Sequence, residues 1–402
     1  MNFSLTEDQQ AFADLAAQFA AKSLAPNAAE WDATGYFPKE VFKAAGELGF
    51  MGLYTNPDFG GLGLPRLDAA IIFEKLAYGD TSTAAFMTIH NMVAWMIGEF
   101  AKPEVAEKYL PQLLAGEKLG SYCLTEPNAG SDAGSLKTKA VKQGDYYHIT
   151  GQKMFISGAG ATDVLVVMAR TSDNGAKGVS AFIVDANSDG ISYGKNEHKM
   201  GWKNQPTAAV HCTDVKVPAE NLLGEEGQGF TFAMKGLDGG RINIATCAVG
   251  TAQAALDRAA QYVQERSQFG KTLDQFQNVQ FKLADMLTHL VSARQMVRLA
   301  AYHLDSKSPD ATAYCAMAKR LATDLSFDIA NQALQLHGGY GYLQEYPLER
   351  HVRDLRVHQI LEGTNEVMRM IVARGGVAVR SSAVMLPVDP IEKYTAPSGP
   401  IA

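Results

Sequence analysis

One acidic side chain near the C-terminus, Glu362, stands between the apolar pair 360–361 and Gly363. Apolar neighbours desolvate a carboxylate and raise its pKa towards neutrality, as a general base for a carbon acid requires. The adjacent glycine lets a ligand approach the backbone closely. A glutamate beside a glycine is more often an ordinary helix or turn residue. Glu362 is therefore a candidate base that needs support from other segments.

Two segments in the middle of the chain combine polar or aromatic groups with turn residues. Segment 121–132 is rich in small hydroxyls, Gly and Asx, and Pro127 stiffens it. Such a loop can present N–H and hydroxyl groups to a polar ring or a phosphate, although a surface turn explains it equally simply. In segment 152–158, Phe155 and Ser157 would share one face of a regular strand and could line one pocket wall. An ordinary β-core pair is the alternative.

Three glycine-containing segments follow in the second half of the chain, at 237–241, 266–270 and 335–341. Two glycines within a helical pattern cost roughly 1 kcal/mol each relative to alanine, so the first segment is expected to admit a bulky group. Arg266 suits a pyrophosphate, because its guanidinium can bind two oxygens. The glycines of 335–341 could turn backbone amides towards an anion, but they do not match the nicotinamide fingerprint G-x-G-x-x-G. Helix packing and helix capping are the alternatives.

Composition narrows the class of protein. The 402 residues suggest two or three domains, and 47% hydrophobic with 20% charged residues is typical of a globular protein. The net charge of −7, from 43 acidic and 36 basic residues, argues against non-specific nucleic-acid binding. The four cysteines form no C-x-x-C pair, which indicates reduced thiols and no metal or disulfide framework. Neither a signal peptide nor a membrane span is visible, so we expect no membrane association and a cytoplasmic location.

The periodicity of apolar residues changes twice along the chain. Helical spacing up to about residue 120 includes a capping box at Thr6 and Gln9 and apolar helices at 68–78 and 83–99. Short apolar runs separated by turns then predict an antiparallel β domain over 121–228. The predicted strands are 146–149, 164–169, 179–185, 208–212 and 215–217. Helical spacing returns over 229–380, as in a bundle, and 381–402 is a proline-containing surface tail.

Taken together and in this order, the six segments resemble the acyl-CoA dehydrogenase family over residues 1 to about 380. The resemblance implies a helical N-terminal domain (1–120), a middle antiparallel β-barrel domain (121–228) and a C-terminal four-helix bundle (229–380). The nearest likeness is to the branch that acts on isobutyryl-CoA. The matching stretches are 201–207, 239–245 and 357–369.

The resemblance implies FAD as the cofactor and assigns residues to it. Tyr122, Leu124 and Thr125 would flank the isoalloxazine ring, with Ser131, Phe155, Ile156 and Ser157 making further contacts. Arg266, Phe269, Phe276 and Gln277 would reach the FAD of a neighbouring subunit, and Gln335, His337, Gly338 and Gly339 would complete that site. Thr364, Asn365 and Glu366 would hold the phosphates of the adenine side.

The resemblance also implies α,β-dehydrogenation of a CoA thioester. Glu362 would abstract the α-proton while the β-hydrogen passes as hydride to flavin N5, and the Glu362 backbone N–H would help to stabilise the thioester oxygen. Ser131, Asp238, Gly239, Gly240, Arg241 and Arg374 match positions that contact the acyl-CoA. Some relatives carry the base at the position of Gly240, which has no side chain here. Glu362 is then the carboxylate in the expected register.

The expected partners are an acyl-CoA, electron-transfer flavoprotein as electron acceptor, and three further copies of the chain in a homotetramer. The expected substrate is isobutyryl-CoA, which would be oxidised to methacrylyl-CoA in valine catabolism. Butyryl-CoA and 2-methylbutyryl-CoA remain alternatives, because the residues do not fix the depth of the acyl pocket. The chain could also be an acyl-CoA oxidase or a flavoprotein scaffold without catalysis.

Overall fold

The computed structural model describes residues 4–377, and the predicted surface tail lies outside this range. Helices form the first part of the chain, and the predicted capping box is present, since Thr6 Oγ1 accepts from Gln9 N and Gln9 Oε1 accepts from Thr6 N. The two apolar helices predicted in this part are also present. The helices are α1 Glu7–Phe19, a π-helical turn Ala20–Leu24, α2 Ala28–Thr34, α3 Lys39–Glu47, α4 Arg66–Gly79, α5 Thr81–Phe100 and α6 Pro103–Leu114.

The middle of the chain is an eight-stranded sheet in the order β6-β7-β3-β2-β4-β5-β8, with β1 paired to β4. The sheet is mixed, because β1 and β2 each pair in parallel with β4, whereas a purely antiparallel domain was predicted. The strands are β1 Gly120–Cys123, β2 Lys139–Gln143, β3 Tyr146–Ser157, β4 Val164–Arg170, β5 Val179–Asp185, β6 Ile191–Tyr193, β7 Thr207–Pro218 and β8 Leu222–Leu223.

Two details of the sheet differ from the sequence prediction. The runs 208–212 and 215–217, predicted as separate strands, belong to the single strand β7, which pairs with β3 across a register shift. A second shift lies between Lys153 and Ile156 of β3, and Phe155 there has a left-handed backbone with φ +58°. The alternation that was expected to put Phe155 and Ser157 on one face does not hold through this β-bulge.

The chain returns to long helices, which pack around one apolar core as predicted for a bundle. The core of α7, α8 and α9 is rich in alanine, so the helix axes can approach closely. The remaining elements are α7 Gly229–Glu265, β9 Ser267–Gln268, β10 Lys271–Thr272, α8 Gln277–Asp305, α9 Ala311–Leu336, α10 Leu348–His358 and α11 Asn365–Val372.

Helix α7 connects the parts of the fold that matter for the site. Its C-terminal half packs in the bundle, while Phe232 and Ala233 near its start join a core formed with α5, α6 and the sheet. All four cysteines are free and buried. None of the helices within residues 4–377 has the length and apolar character that a membrane crossing requires.

The helical N-terminal part offers a test of its core. Leu24 is fully buried, whereas Leu15 on α1 is 39% exposed. We expect Leu24→Ala to lower the free energy of unfolding by about 2–5 kcal/mol, because it removes buried methyl groups and leaves a cavity. Leu15→Ala is the matched control and should cost much less. Urea denaturation followed by circular dichroism measures both, and equal losses would contradict the packing described.

Candidate active site

Glu362 lies in the turn between α10 and α11 and has an unusual backbone. Its φ is +56°, and Gly363 follows with φ +87°. A left-handed conformation is uncommon for a residue with a Cβ and persists only when the surrounding structure holds it. Within residues 4–377 the Glu362 N–H donates to no backbone carbonyl. The turn therefore presents both a carboxylate and a backbone donor.

The carboxylate of Glu362 lies against the backbone of α7 at Gly240. A Cβ at position 240 would stand 2.5 Å from Glu362 Oε2 and 2.9 Å from its Cδ. Gly239 and Gly240 were predicted to leave space for a bulky group. At Gly240 the group that fills this space is the Glu362 carboxylate. Glu362 Oε2 is buried without a hydrogen-bond partner among the described residues. An unpartnered buried carboxylate oxygen is the arrangement expected where a substrate completes the site.

Burial raises the pKa of Glu362 to about 7, against opposing effects of Arg241 on α7 and Lys319 on α9. Arg241 is 5% exposed, and its Nη1 donates to Asp238 Oδ1 at 2.6 Å. Asp238 Oδ2 in turn accepts from Thr312 at 2.6 Å. A carboxyl with a pKa near neutrality can accept a proton readily and still be ionised in a substantial fraction of molecules at neutral pH.

Aromatic rings complete the surroundings of Glu362. Burial raises the pKa of Tyr122 well above its usual value, and the charge of Glu362 adds to that rise. Tyr54 is buried, accepts a hydrogen bond from Asn243 Nδ2 at 3.2 Å, and carries the Arg66 guanidinium 3.5 Å above its ring. Burial and Glu362 both raise the pKa of Tyr54, while Arg66 lowers it. Both phenols therefore lie close enough to Glu362 to be affected by its charge.

Segment 121–132 and strand β3 are joined by specific bonds beside Tyr122. Met154 N donates to Thr125 O at 2.8 Å, and Ser121 Oγ donates to Ser157 O at 2.6 Å. Lys153 Nζ, fully buried, donates to Leu124 O at 3.1 Å and to Glu126 Oε1 at 2.8 Å. The structure therefore brings the predicted residues of these two segments together.

Next to these bonds, the predicted flavin contacts differ in exposure. Phe155 is 62% exposed, although it is an aromatic side chain in a strand, while Leu124 and Ile156 are buried. A large apolar ring left open to solvent beside polar backbone groups suits contact with a bound ring system. Ser131 is also exposed, in the loop that follows.

A cleft of about 370 Å³ gathers the other predicted cofactor residues. Arg266 lies at the C-terminal end of α7, and its guanidinium carbon is 5.7 Å from the centre of the Tyr340 ring. The His337 ring stacks on Tyr262 with centroids 4.1 Å apart. A cation, glycines without side chains and aromatic faces suit a dinucleotide. The predicted residues in the lining are Arg266, Gln335, His337, Gly338 and Gly339.

Other predicted residues lie around these two places. Phe269 is 94% exposed, with its ring 6.3 Å from Phe276, and Gln277 is exposed at the start of α8. Thr364 caps α11 by accepting from Val367 N at 3.3 Å, and Glu366 is exposed in the first turn. Asn365 is buried, and its side-chain amide donates to Asp324 Oδ1 on α9. This amide therefore has a hydrogen-bond partner within the chain. Arg374 is exposed on the π-helical turn Ala373–Val377.

Sequence reasoning missed three groups near Glu362, namely Lys319, Tyr54 and Arg66. Lys319 had a signal, since it stands in an alanine-rich helix at the spacing of the buried residues Cys315 and Ala322. Tyr54 and Arg66 lie outside any motif, and only the packing of the N-terminal helices on α7 brings them to the site. In residues 4–377, His, Cys, Asp and Glu side chains form no cluster that could hold a metal ion.

Comparison with known proteins identifies what the chain resembles. Sequence models of the acyl-CoA dehydrogenase N-terminal, middle and C-terminal domains match residues 6–117, 121–215 and 227–377. The chain is 52% identical to isobutyryl-CoA dehydrogenase of Dictyostelium discoideum, covering 92% of this chain and 89% of that protein. It is 43% identical to acryloyl-CoA reductase (NADH) of Anaerotignum propionicum, covering 93% and 95%.

Solved structures show the same fold. Butyryl-CoA dehydrogenase of Megasphaera elsdenii superimposes with a TM-score of 0.91 at 43% identity, over 94% of this chain and all of that one. An FAD complex of PigA superimposes with a TM-score of 0.90 at 30% identity, over 93% of this chain and 98% of that one.

The contact between Gly240 and Glu362 can be tested by adding one methyl group. Gly240→Ala would put a Cβ against the carboxylate, so Glu362 must move. We expect the rate of acyl-CoA-dependent flavin bleaching to fall about a hundredfold, because a displacement of about 1 Å can cost that much. Gly134→Ala is the control, since its Cβ would meet nothing closer than 3.8 Å. A Gly240→Ala variant as fast as the control would contradict the contact.

Proposed function

The chain belongs to the acyl-CoA dehydrogenase family, and we propose that it oxidises isobutyryl-CoA between Cα and Cβ with Glu362 as the base. Acyl-CoA dehydrogenase activity and FAD follow from the family. The substrate and the role of each residue are proposals. The observation that carries the role of Glu362 is its buried, unpartnered Oε2, on a carboxyl whose pKa burial raises to about 7.

The residues present fit FAD. Tyr122 Oη is buried without a hydrogen-bond partner in residues 4–377, and Phe155 beside it is open to solvent. The cleft at Arg266 supplies a guanidinium and backbone amides for phosphates. We propose that Tyr122, Leu124, Thr125, Phe155 and Ser157 hold the ring end, and that Arg266 with 335–339 holds a phosphate end. When bound, FAD supplies the acceptor for the β-hydrogen.

Glu362 would remove the α-proton of the thioester. The α-carbon of a thioester is a weak acid, so the base must be strong for a carboxylate and must lie within contact of the proton. Burial supplies the first requirement by raising the pKa, and Gly240 supplies the second by leaving room for the carboxylate. Arg241 and Lys319 stabilise the charged form of Glu362, so they limit the rise in its pKa that burial causes.

The charge that develops on the thioester oxygen needs a donor. The Glu362 N–H, which the left-handed turn leaves without a backbone partner among residues 4–377, is the group we propose for it. A preorganised donor of this kind is worth roughly 3–4 kcal/mol of transition-state stabilisation. One residue would then supply both the base and the oxyanion contact, which fixes their relative geometry.

Identity supports isobutyryl-CoA over the other substrates. The chain is 52% identical to isobutyryl-CoA dehydrogenases of Dictyostelium discoideum and Bos taurus, against 43% to the Megasphaera elsdenii butyryl-CoA dehydrogenase and the Anaerotignum propionicum acryloyl-CoA reductase. The last of these acts in the reducing direction, so butyryl-CoA oxidation and acyl-CoA reduction are the alternatives. The predicted cytoplasmic location remains a prediction, since the two isobutyryl-CoA dehydrogenases are mitochondrial.

We also propose electron-transfer flavoprotein as the acceptor and a homotetramer as the assembly. The outer face of α8 and the adjoining loop carry large exposed apolar side chains, which favours burial against other copies of the chain. These side chains are Phe269, Phe281, Leu287, Val291, Leu299 and Tyr302. The exposed Phe269 lies in the 266–270 segment that also supplies Arg266 to the cleft. A second copy covering this face would then complete the cofactor site.

The base assignment is tested by Glu362→Gln. The amide keeps the size of the side chain but cannot accept the proton, so we expect yellow, flavin-loaded protein that acyl-CoA no longer bleaches. The rate should fall by about 10²–10⁴-fold, as for other general bases. The exposed Glu30→Gln is the control and should bleach normally. Normal bleaching by Glu362→Gln would refute the assignment.

The substrate is tested by anaerobic titration with isobutyryl-, butyryl-, 2-methylbutyryl- and isovaleryl-CoA, followed by flavin absorbance. We expect isobutyryl-CoA to bleach the flavin fastest and at the lowest concentration, because the chain is 52% identical to two enzymes of that specificity. Faster bleaching at lower concentration by butyryl-CoA would replace the proposed substrate. Peroxide formation under air at the rate of turnover would indicate an oxidase, and failure of all four thioesters to bleach the flavin would favour a non-catalytic scaffold.

A further inference from the structure

Lys319 on α9 is a fully buried lysine whose hydrogen bonds all go to the segment that carries Glu362. Its Nζ donates to Gly363 O at 2.8 Å and to Asn365 Oδ1 at 2.8 Å. Both acceptors are neutral, and Lys319 forms no salt bridge within 4.0 Å in residues 4–377. Burying an ammonium group is costly unless a negative charge offsets it.

The other fully buried lysine shows the ordinary solution. Lys153 lies 2.8 Å from Glu126 Oε1, in a direct ion pair. For Lys319, burial lowers the pKa to about 8, and Glu362 is the foremost charge that opposes this, ahead of Asp324. The anion that balances Lys319 is therefore the candidate base itself, which lies next to the carbonyl that Lys319 holds.

A small polar network continues this contact along α9. Asn365 Nδ2 donates to Asp324 Oδ1 at 2.7 Å and to Thr323 Oγ1 at 3.0 Å. Gln359 Nε2 donates to the same Asp324 oxygen at 2.9 Å. The turn 359–365 is thus fixed to α9 on both sides of Glu362. Such bonds are what a left-handed residue needs in order to persist.

We propose that Lys319 is a positioning residue for the reaction, which fixes the Glu362 turn through Gly363 O and keeps the Glu362 carboxyl ionised through its charge. This rests on the proposed role of Glu362 as base. Arg241 from α7 also stabilises the charged form of Glu362. Tyr122 from β1 and Tyr54 from the loop before α4 lie close enough that the charge of Glu362 raises the pKa of each phenol. Asp238 pairs with Arg241, and Glu366 and Asp324 lie near Lys319.

The test replaces Lys319 by methionine, which keeps the length of the side chain and removes the charge. We expect the titration of Glu362, measured by infrared difference spectroscopy of its carboxyl band, to move upward by about one pH unit, because an opposite charge has been lost. The acid limb of the kcat/KM profile should move with it, and activity below pH 7 should fall by up to about tenfold. Loss of packing alone would admit water to the carboxylate and move the band and the limb downward, the opposite direction.

Lys199→Met is the matched control. Lys199 is also a partly buried lysine whose pKa burial lowers to about 8, and it donates to Gln205 O and Thr207 Oγ1. Its charge is not among those that act on Glu362. We expect this variant to leave the Glu362 titration in place. A shift equal to that of Lys319→Met would overturn the proposal.

A second neutral variant, Lys319→Gln, keeps one donor for the turn and guards against poor folding of the methionine variant. Both Lys319 variants lack the positive charge. The pH at which the Glu362 band titrates must therefore rise in each variant that folds with flavin bound. An unmoved titration overturns the proposal for Lys319. The titrating band must also disappear in Glu362→Gln. The base assignment fails instead if acyl-CoA still bleaches the flavin of Glu362→Gln at the normal rate, so the two failures are distinguishable.

Discussion

The site depends on holding one carboxylate out of water without forcing it to stay protonated. Burial raises the pKa of Glu362, while Arg241 and Lys319 oppose the rise and leave the value at about 7. Burial alone would yield a neutral acid, and a close ion pair alone would yield a weak base. Burial and the charges of Arg241 and Lys319 act on Glu362 together. Neither cation forms a salt bridge with Glu362. The carboxylate therefore remains available to a substrate.

This balance requires contributions from all three parts of the fold. Tyr54 comes from the loop before α4 and Arg66 from the start of α4, Tyr122 comes from the first strand, and Arg241 and Lys319 come from the bundle. Helix α7 runs between these parts, and its two glycines let Glu362 and Arg66 approach its backbone. At Gly240 the same space could hold either a side chain on α7 or the carboxylate from the turn, but not both. The pocket therefore has room for one carboxylate, whichever of the two segments supplies it.

The structure brings the predicted site residues into two groups. Segments 121–132 and 152–158 are joined by hydrogen bonds beside Tyr122, and Arg266 lines one cleft with the predicted residues of 335–341. The motifs identified these segments because the geometry of turns, the backbone freedom of glycine and the charge of a cation are local properties. They do not depend on tertiary contacts. The prediction failed at Phe155, because a β-bulge breaks the period of two on which the face argument depended. Asn365 was predicted to contact the cofactor; its side-chain amide donates to Asp324 on α9, and its contact with a cofactor stays a prediction.

The sequence by itself determined the order of helical, β and helical parts, the start of α1, the positions of α4 and α5, and the glutamate placed beside a glycine. These are local properties, set by apolar periodicity, capping residues and backbone freedom. The tertiary structure decided that a lysine in an alanine-rich helix bonds to the turn of Glu362, that an arginine and a tyrosine from the N-terminal part lie beside α7, and that two short predicted strands are one. Those outcomes depend on contacts between residues far apart in the chain. Their energies arise from burial and charge, which no local pattern encodes.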